Sequence, residues 1–192
     1  TVGFINVNAT SATITVTDMT AGVVHNATYS LVDPLGVTDW YAYFYEPTGR
    51  RSDYVVTDLP RYANSTIRVL IESPDHACIG ELVIGRAREI GLTQYGARVG
   101  IQDYSVKSQN DWGDYYINQR AFAKRADFVV FMDNTLIDAL QTLLAQYRAT
   151  PVVYVGSEVY GATILYGFYK DFSLVVDYPT FGLYSIEVEG MA

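Results

Sequence analysis

At 192 residues the chain has room for one β-rich domain or two small ones of about 100 residues each. A composition 49% hydrophobic and 18% charged belongs to a packed globular protein and excludes disorder as the dominant state. The net charge of −8, with no basic stripe, argues against binding to a nucleic-acid backbone.

From the N-terminus the chain reads as short strands punctuated by turns. Phe4–Asn8 and Ala12–Thr17 come first, then Asn26–Leu31, ended by the turn Asp33-Pro34-Leu35-Gly36. Trp40–Tyr45 reads as the next strand, closed by Glu46-Pro47-Thr48-Gly49, and Tyr54–Thr57, Thr66–Ile71 and Ile79–Ile84 follow. Seven short strands at roughly ten-residue spacing predict an antiparallel β-sandwich or jelly roll over residues 1–90. In Thr66–Ile71, the residues Ile67, Val69 and Ile71 share one face, so one side of that strand is wet.

The stretch Gly85–Gly96 carries charge and three glycines, and the domain boundary is placed there, near residue 91. Residues 91–192 then read as a second β-rich domain. Ala97–Lys107 pairs with Tyr115–Met132 across the turn-forming run Ser108–Asp114, with a bend or bulge expected around Arg120–Arg125. One helix is expected, over Asn134–Tyr147 within about 133–148. Leu136, Leu140, Leu143, Leu144 and Tyr147 fall on one face at helical spacing. Asp133 or Asn134 caps its start, Arg148 suits the C-terminal dipole, and Pro151 follows the stop. Val152–Val155 is a short strand, and Gly161–Tyr178 with Leu183–Glu189 closes the chain as a hairpin. One helix covers only one face of such a sheet, and the other face or an edge is left for a neighbour.

Chemistry-bearing residues are few. Cys78 is the only cysteine, so no intrachain disulfide forms and a thiolate zinc site lacks ligands. Its setting in Ala77-Cys78-Ile79 predicts a small buried residue. His25 and His76 stand beside turns, where a structural or exposed role is commonest, and two histidines make a triad improbable. Asn110, Asp111 and Asp114 lack the ligand order of a calcium loop and read as hairpin-turn chemistry. Asp171, Asp177, Glu187 and Glu189 bring a glycosidase pair to mind, but strand-surface charge accounts for them better. The triplets at Asn8, Asn26 and Asn64 match the glycosylation pattern and are taken as strand and turn composition. No apolar run approaches the ~18 residues of a membrane span. The chain begins at Thr1, which leaves open removal of an initiator or a longer parent chain. No catalytic residue, metal ligand or cofactor is assigned.

The strongest ligand candidate is Trp40-Tyr41-Ala42-Tyr43-Phe44-Tyr45. Read as a strand, it places Tyr41, Tyr43 and Tyr45 on one face and Trp40, Ala42 and Phe44 on the other. A tyrosine row, with Arg50 assisting, suits a sugar ring or a partner surface. The competing reading covers both faces within the sandwich and leaves Arg50 a solvated loop charge.

Several stretches resemble tail proteins of long-tailed bacteriophages. They are Ile79-Gly80-Glu81-Leu82-Val83-Ile84-Gly85, Thr93-Gln94-Tyr95-Gly96-Ala97 and Ile101-Gln102-Asp103-Tyr104-Ser105-Val106-Lys107. Arg120–Ala126, Arg148–Val153 and Tyr166–Ser173 extend the resemblance over about residues 79–192. It implies a structural virion protein of a tail tip or baseplate, without enzymatic activity. Its partners would then be other phage tail proteins and further copies of itself, in a ring or trimer. The N-terminal half resembles the galactose-binding type of jelly roll, which implies as the alternative a carbohydrate-binding module for host cell-surface glycans.

Overall fold

The computed structural model describes residues 1–33, 39–45, 49–175 and 178–191. The turns expected at Asp33–Gly36 and Glu46–Gly49 fall mostly, and Asp177 wholly, outside them. As expected, the chain is mainly β, with antiparallel sheets and one substantial helix. It divides into two compact units, Thr1–Ala87 and Arg88–Ala192.

The first unit contains β1 (Val2–Asn8), β2 (Ser11–Asp18), β3 (Gly22–Ser30), the short helix α1 (Trp40–Tyr45), β4 (Tyr54–Val56), β5 (Ser65–Glu72) and β6 (Cys78–Ile84). Two three-stranded antiparallel sheets form, β4-β1-β6 and β3-β2-β5, with β1 and β2 central. Val2, Phe4 and Val7 of β1 share one core with Ala12, Ile14 and Val16 of β2, so the sheets form a sandwich. Full burial of side chains such as Phe4 and Ile14 contributes ~1.5–3 kcal/mol each. Along β5, Ile67, Val69 and Ile71 pack against that core, as the alternation predicts.

One residue in β1 breaks its alternation. Asn6 adopts a left-handed φ of 52°, which asparagine tolerates, and the inward set passes from Val2 and Phe4 to Val7. The freed Asn6 N–H donates to the carboxylate of buried Asp53 at 3.1 Å. Cys78 departs from expectation: it opens the outer strand β6 and is exposed. Its apolar neighbour Ile79, not the thiol, packs on the core.

The second unit contains β7 (Leu92–Thr93), β8 (Arg98–Asp103), β9 (Val106–Gln109), β10 (Tyr115–Asn118), β11 (Phe122–Asp133), a 3-10 turn at Asn134–Leu136, α2 (Ile137–Tyr147), β12 (Val152–Val155), β13 (Ile164–Val175) and β14 (Phe181–Gly190). A six-stranded antiparallel sheet runs β12-β13-β14-β11-β7, and β8 pairs with β11 beyond β7. The two long strands expected around the turn each split. Residues 104–105 and 119–121 interrupt them, so β9 and β10 pair only with each other in a separate hairpin. The break at 119–121 overlaps the bend expected around Arg120–Arg125, and a register shift falls in β13, between Tyr169 and Asp171.

The core of this unit is one face of the sheet under α2. Ala126, Phe128, Val130 and Met132 alternate inward from β11 and meet Tyr184, Ile186 and Val188 of β14 and Leu140 and Leu144 of α2. Tyr184 keeps its hydroxyl satisfied by donating to the Ile90 carbonyl at 2.6 Å, and burial pushes its phenol pKa up. Leu136 does not join this face. It lies in the 3-10 turn before the helix, 53% exposed, and Ile137 packs against the core in its place. Gly167 is dictated by a close approach, since a Cβ there would collide with the Glu189 carbonyl of β14.

Leu140→Asp should destabilise this unit by at least ~3 kcal/mol, because it leaves a cavity and buries a charge. Gln141→Asp, on the exposed side, should cost far less. Equal melting shifts for the two variants would contradict the packing of α2.

Asp133 caps the helix entrance, accepting from the Thr135 N–H at 2.9 Å and the Thr135 hydroxyl at 2.8 Å. Those bonds hold its carboxyl pKa below the ordinary range. A depressed folded pKa means a contribution present above the unfolded value of about 3.9 and lost as pH falls through the folded one. The melting advantage of the native chain over Asp133→Ala should therefore be full at neutral pH and shrink in acid below that range. An advantage constant down to strongly acid pH would remove the carboxylate from the cap.

Candidate functional site

The tyrosine row expected on a strand is not present as such. Trp40–Tyr45 is a turn and a half of α-helix, opened by the Tyr43 N–H donating to the Asp39 carbonyl at 3.1 Å. Helical spacing brings residues four apart together. Tyr41 meets Tyr45 at a ring separation of 5.1 Å, and Trp40 stacks on Phe44 at 6.2 Å. Tyr43 points to the opposite side from Tyr41 and Tyr45 and sits edge-on to Phe44 at 5.0 Å. The three tyrosines therefore share no face, although each is at least 64% exposed.

Arg50 is likewise already engaged. Its guanidinium donates to Asn8 Oδ1 at 2.6 Å and pairs with Asp75 at 3.5 Å. Its backbone forms a bridge with Val32, and the Asp33 N–H donates to Gly49 O at 2.9 Å. Those bonds close the neck of an excursion from the sandwich that carries α1. Arg50 fastens the neck, and the aromatic side chains beyond it face solvent.

In the second unit the most distinctive surface is the hairpin β9–β10. All eight strand residues are exposed, and large apolar groups stand on both faces. Tyr115 and Ile117 share one face with Lys107 and Gln109, while Tyr116 shares the other with Val106. Trp112, at the tip, is 90% exposed. The turn itself is well made: Asn110 Oδ1 accepts from the N–H groups of Trp112 and Asp114 at 3.1 and 2.8 Å, and Gly113 takes a φ of 92°. This is the hairpin-turn role expected of Asn110 and Asp114. No group of three or more metal-ligating side chains occurs among the described residues.

The base of the hairpin is pinned. Asp103 accepts from the Ser105 N–H and the Lys107 ammonium, both at 2.9 Å, and the Ser105 hydroxyl, the Lys107 ammonium and the Ser105 N–H together hold its carboxyl well below the usual carboxylate range. The Arg120 N–H donates to Ser105 Oγ at 3.0 Å, and Tyr104 Oη donates to Glu189 Oε1 at 2.7 Å.

Glu189 belongs to a charge ladder on the sheet face opposite α2. Arg125 pairs with Glu187 at 3.1 Å, and Lys170, the extra residue at the β13 register shift, reaches Glu187 and Glu189 at 3.8 and 3.7 Å. Two carboxylates flanked by two cations make an ion-paired strand surface, as the sequence reading preferred. Exposed pairs of this kind are worth ~0–1 kcal/mol each. The alternation Arg125-Ala126-Asp127 against Glu187-Val188-Glu189 was the signal for it, but the bulge that admits Lys170 leaves none.

Comparison with protein-family models and with curated proteins finds no match. Among solved structures, a chain from "Virion of native gene transfer agent (GTA) particle" is similar over 57% of this chain and 100% of that one, at 13% identity and a TM-score of 0.39. A TM-score of this size establishes no shared fold.

Tyr41→Ser and Tyr43→Ser should each change the unfolding free energy of the chain by less than ~0.5 kcal/mol, as exposed positions do. A large drop in the denaturation midpoint for either would mean that α1 is packed and not presented.

Proposed function

We propose that the chain is a non-enzymatic structural protein of a bacteriophage tail tip or baseplate. It would reside in the virion and assemble with other tail proteins and with copies of itself through β-rich surfaces. The observation that carries this reading is the β9–β10 hairpin, which projects Trp112, Tyr115, Tyr116 and Ile117 into solvent. A two-stranded hairpin is marginal by itself in water, and exposed apolar groups on both faces mark a surface made to be covered. The hairpin lies within the region whose sequence resembles phage tail proteins, residues 79–192. The engagement of Glu187 and Glu189 by Arg125 and Lys170 further supports a structural role over a pair of catalytic carboxylates. Antibody to this chain should label the distal tail of purified virions by electron microscopy. Label on the capsid, or none, would refute the proposal.

The second reading, a carbohydrate-binding module for host surface glycans, is favoured by the exposed side chains of α1. Sugar rings stack on such groups, although here only Trp40 and Phe44 lie near parallel and the tyrosine rings are tilted against their neighbours. The glycan reading predicts retention of a bacterial polysaccharide on an array and its loss in Tyr43→Ala. No retention, with unimpaired host adsorption by the variant, would end it.

A further inference from the structure

We propose that α1 is a membrane-contact element, whose aromatic side chains enter the headgroup region of a bilayer of zwitterionic lipids. Such contact competes with glycan binding for the same side chains and is independent of the chain's place in a tail.

The six residues of α1 are five aromatics and one alanine, with no charged or amide side chain among them. A helix that docks in a protein groove keeps a polar back, whereas one apolar all round is ordinarily buried on every side. Here Trp40, Tyr41, Tyr43, Phe44 and Tyr45 are instead all at least 64% exposed. Helical spacing spreads their rings over about 200° of the circumference. A sugar or a flat protein surface reaches one side of such an array, while a fluid phase closes round side chains that diverge. The residue types name the phase. Tyrosine and tryptophan join an apolar ring to a polar tip, and both are at home where hydrocarbon meets water. The three phenol hydroxyls need polar partners once covered, and lipid headgroups with their water supply them without matched geometry.

Charge sets the kind of lipid. Residues 34–48 contain Asp39 and Glu46 and no lysine or arginine, and the whole chain carries −8. The cations that follow are engaged at the neck, Arg50 by Asn8 and Asp75 and Arg51 over the Tyr54 ring at 5.9 Å. An anionic surface would repel this approach, so the fit is to headgroups without net charge. Length sets the depth. Six helical residues measure about 9 Å against a hydrocarbon core of ~30 Å, so α1 lies in the interface and does not span. The Val32–Arg50 bridge closes the excursion, and the rings are presented from a folded base.

The test uses the full chain and phosphatidylcholine vesicles. The chain should float with the vesicles, and Trp40→Ser with Phe44→Ser should lower its partition coefficient about tenfold or more. The melting midpoint should stay in place; if that pair melts early, Tyr41→Ser with Tyr45→Ser takes over the same measurement. The two tryptophans, Trp40 and Trp112, locate the contact. In Trp112→Phe, the fluorescence of Trp40 should shift to the blue and be quenched by brominated acyl chains. In Trp40→Phe, Trp112 should do neither. Added phosphatidylglycerol should weaken binding at low salt. A chain that stays free of the vesicles overturns the proposal, including one retained on a glycan array. So does quenching of Trp112 in place of Trp40, or partition that survives the substitutions in α1. Binding that requires phosphatidylglycerol and vanishes in high salt overturns it as well.

Discussion

The second unit is shaped by the mismatch between its sheet and the one helix that covers it. α2 has eleven residues and is therefore about 16 Å long and ~10 Å across. The sheet beneath is five strand positions wide, about 19 Å between outer axes, and β11 with its twelve residues runs about 40 Å. A helix of that footprint protects only part of such a surface. Leu140 and Leu144 cover the stretch of β11 from Ala126 to Met132, and the burial there is nearly complete. Toward Phe122 there is sheet but no helix, and β8 alongside is exposed at every position. The arm β9–β10 continues from this uncovered end, so the apolar exposure follows from where the helix stops.

The same helix separates what the sequence reveals from what it conceals. α2 was legible because a helix buried on one side writes its period directly: Leu140, Leu144 and Tyr147 recur at three and four while Asp138 and Gln141 do not. Its entrance was less legible, since Leu136 matches the period but precedes the first α-helical turn, where a 3-10 turn directs it outward. The partner segments around Ser108–Asp114 were correct as pairs and wrong as continuous strands. Turn residues announce a reversal, and a strand too long to run straight announces a bend near Arg120, but no sequence signal marked the break at 104–105 that helps detach the arm from the sheet.

The misreading of Trp40–Tyr45 has a different cause. Six consecutive apolar or aromatic residues contain no polar position against which a period of two or of 3.6 can be measured, so aromatic enrichment alone argued for a strand. The outcome depended on surroundings. A strand would need a neighbour for its ladder, whereas this segment lies in an excursion closed by the Val32–Arg50 bridge, and its Tyr43 N–H finds the Asp39 carbonyl four residues back. Cys78 was misjudged for a related reason. Its neighbours are apolar, but on a strand with one wet face the neighbour of a core residue faces water.

An exposed arm invites the objection that it is merely a loop. Its bonding argues otherwise. Asp103 gathers Ser105 and Lys107, Ser105 holds the Arg120 N–H, and Tyr104 anchors to Glu189 of the charge ladder, so both legs are fixed to the six-stranded sheet. Asn110 and Gly113 fix the tip as firmly. Binding by a floppy segment loses affinity to the cost of ordering it, about 0.5–1.5 kcal/mol for each immobilised side chain, before any contact is rewarded. Here the backbone of the arm is ordered by the chain's own folding. What remains for a partner is to cover side chains already aimed outward, and in that sense the arm is prepared for a surface that it does not itself possess.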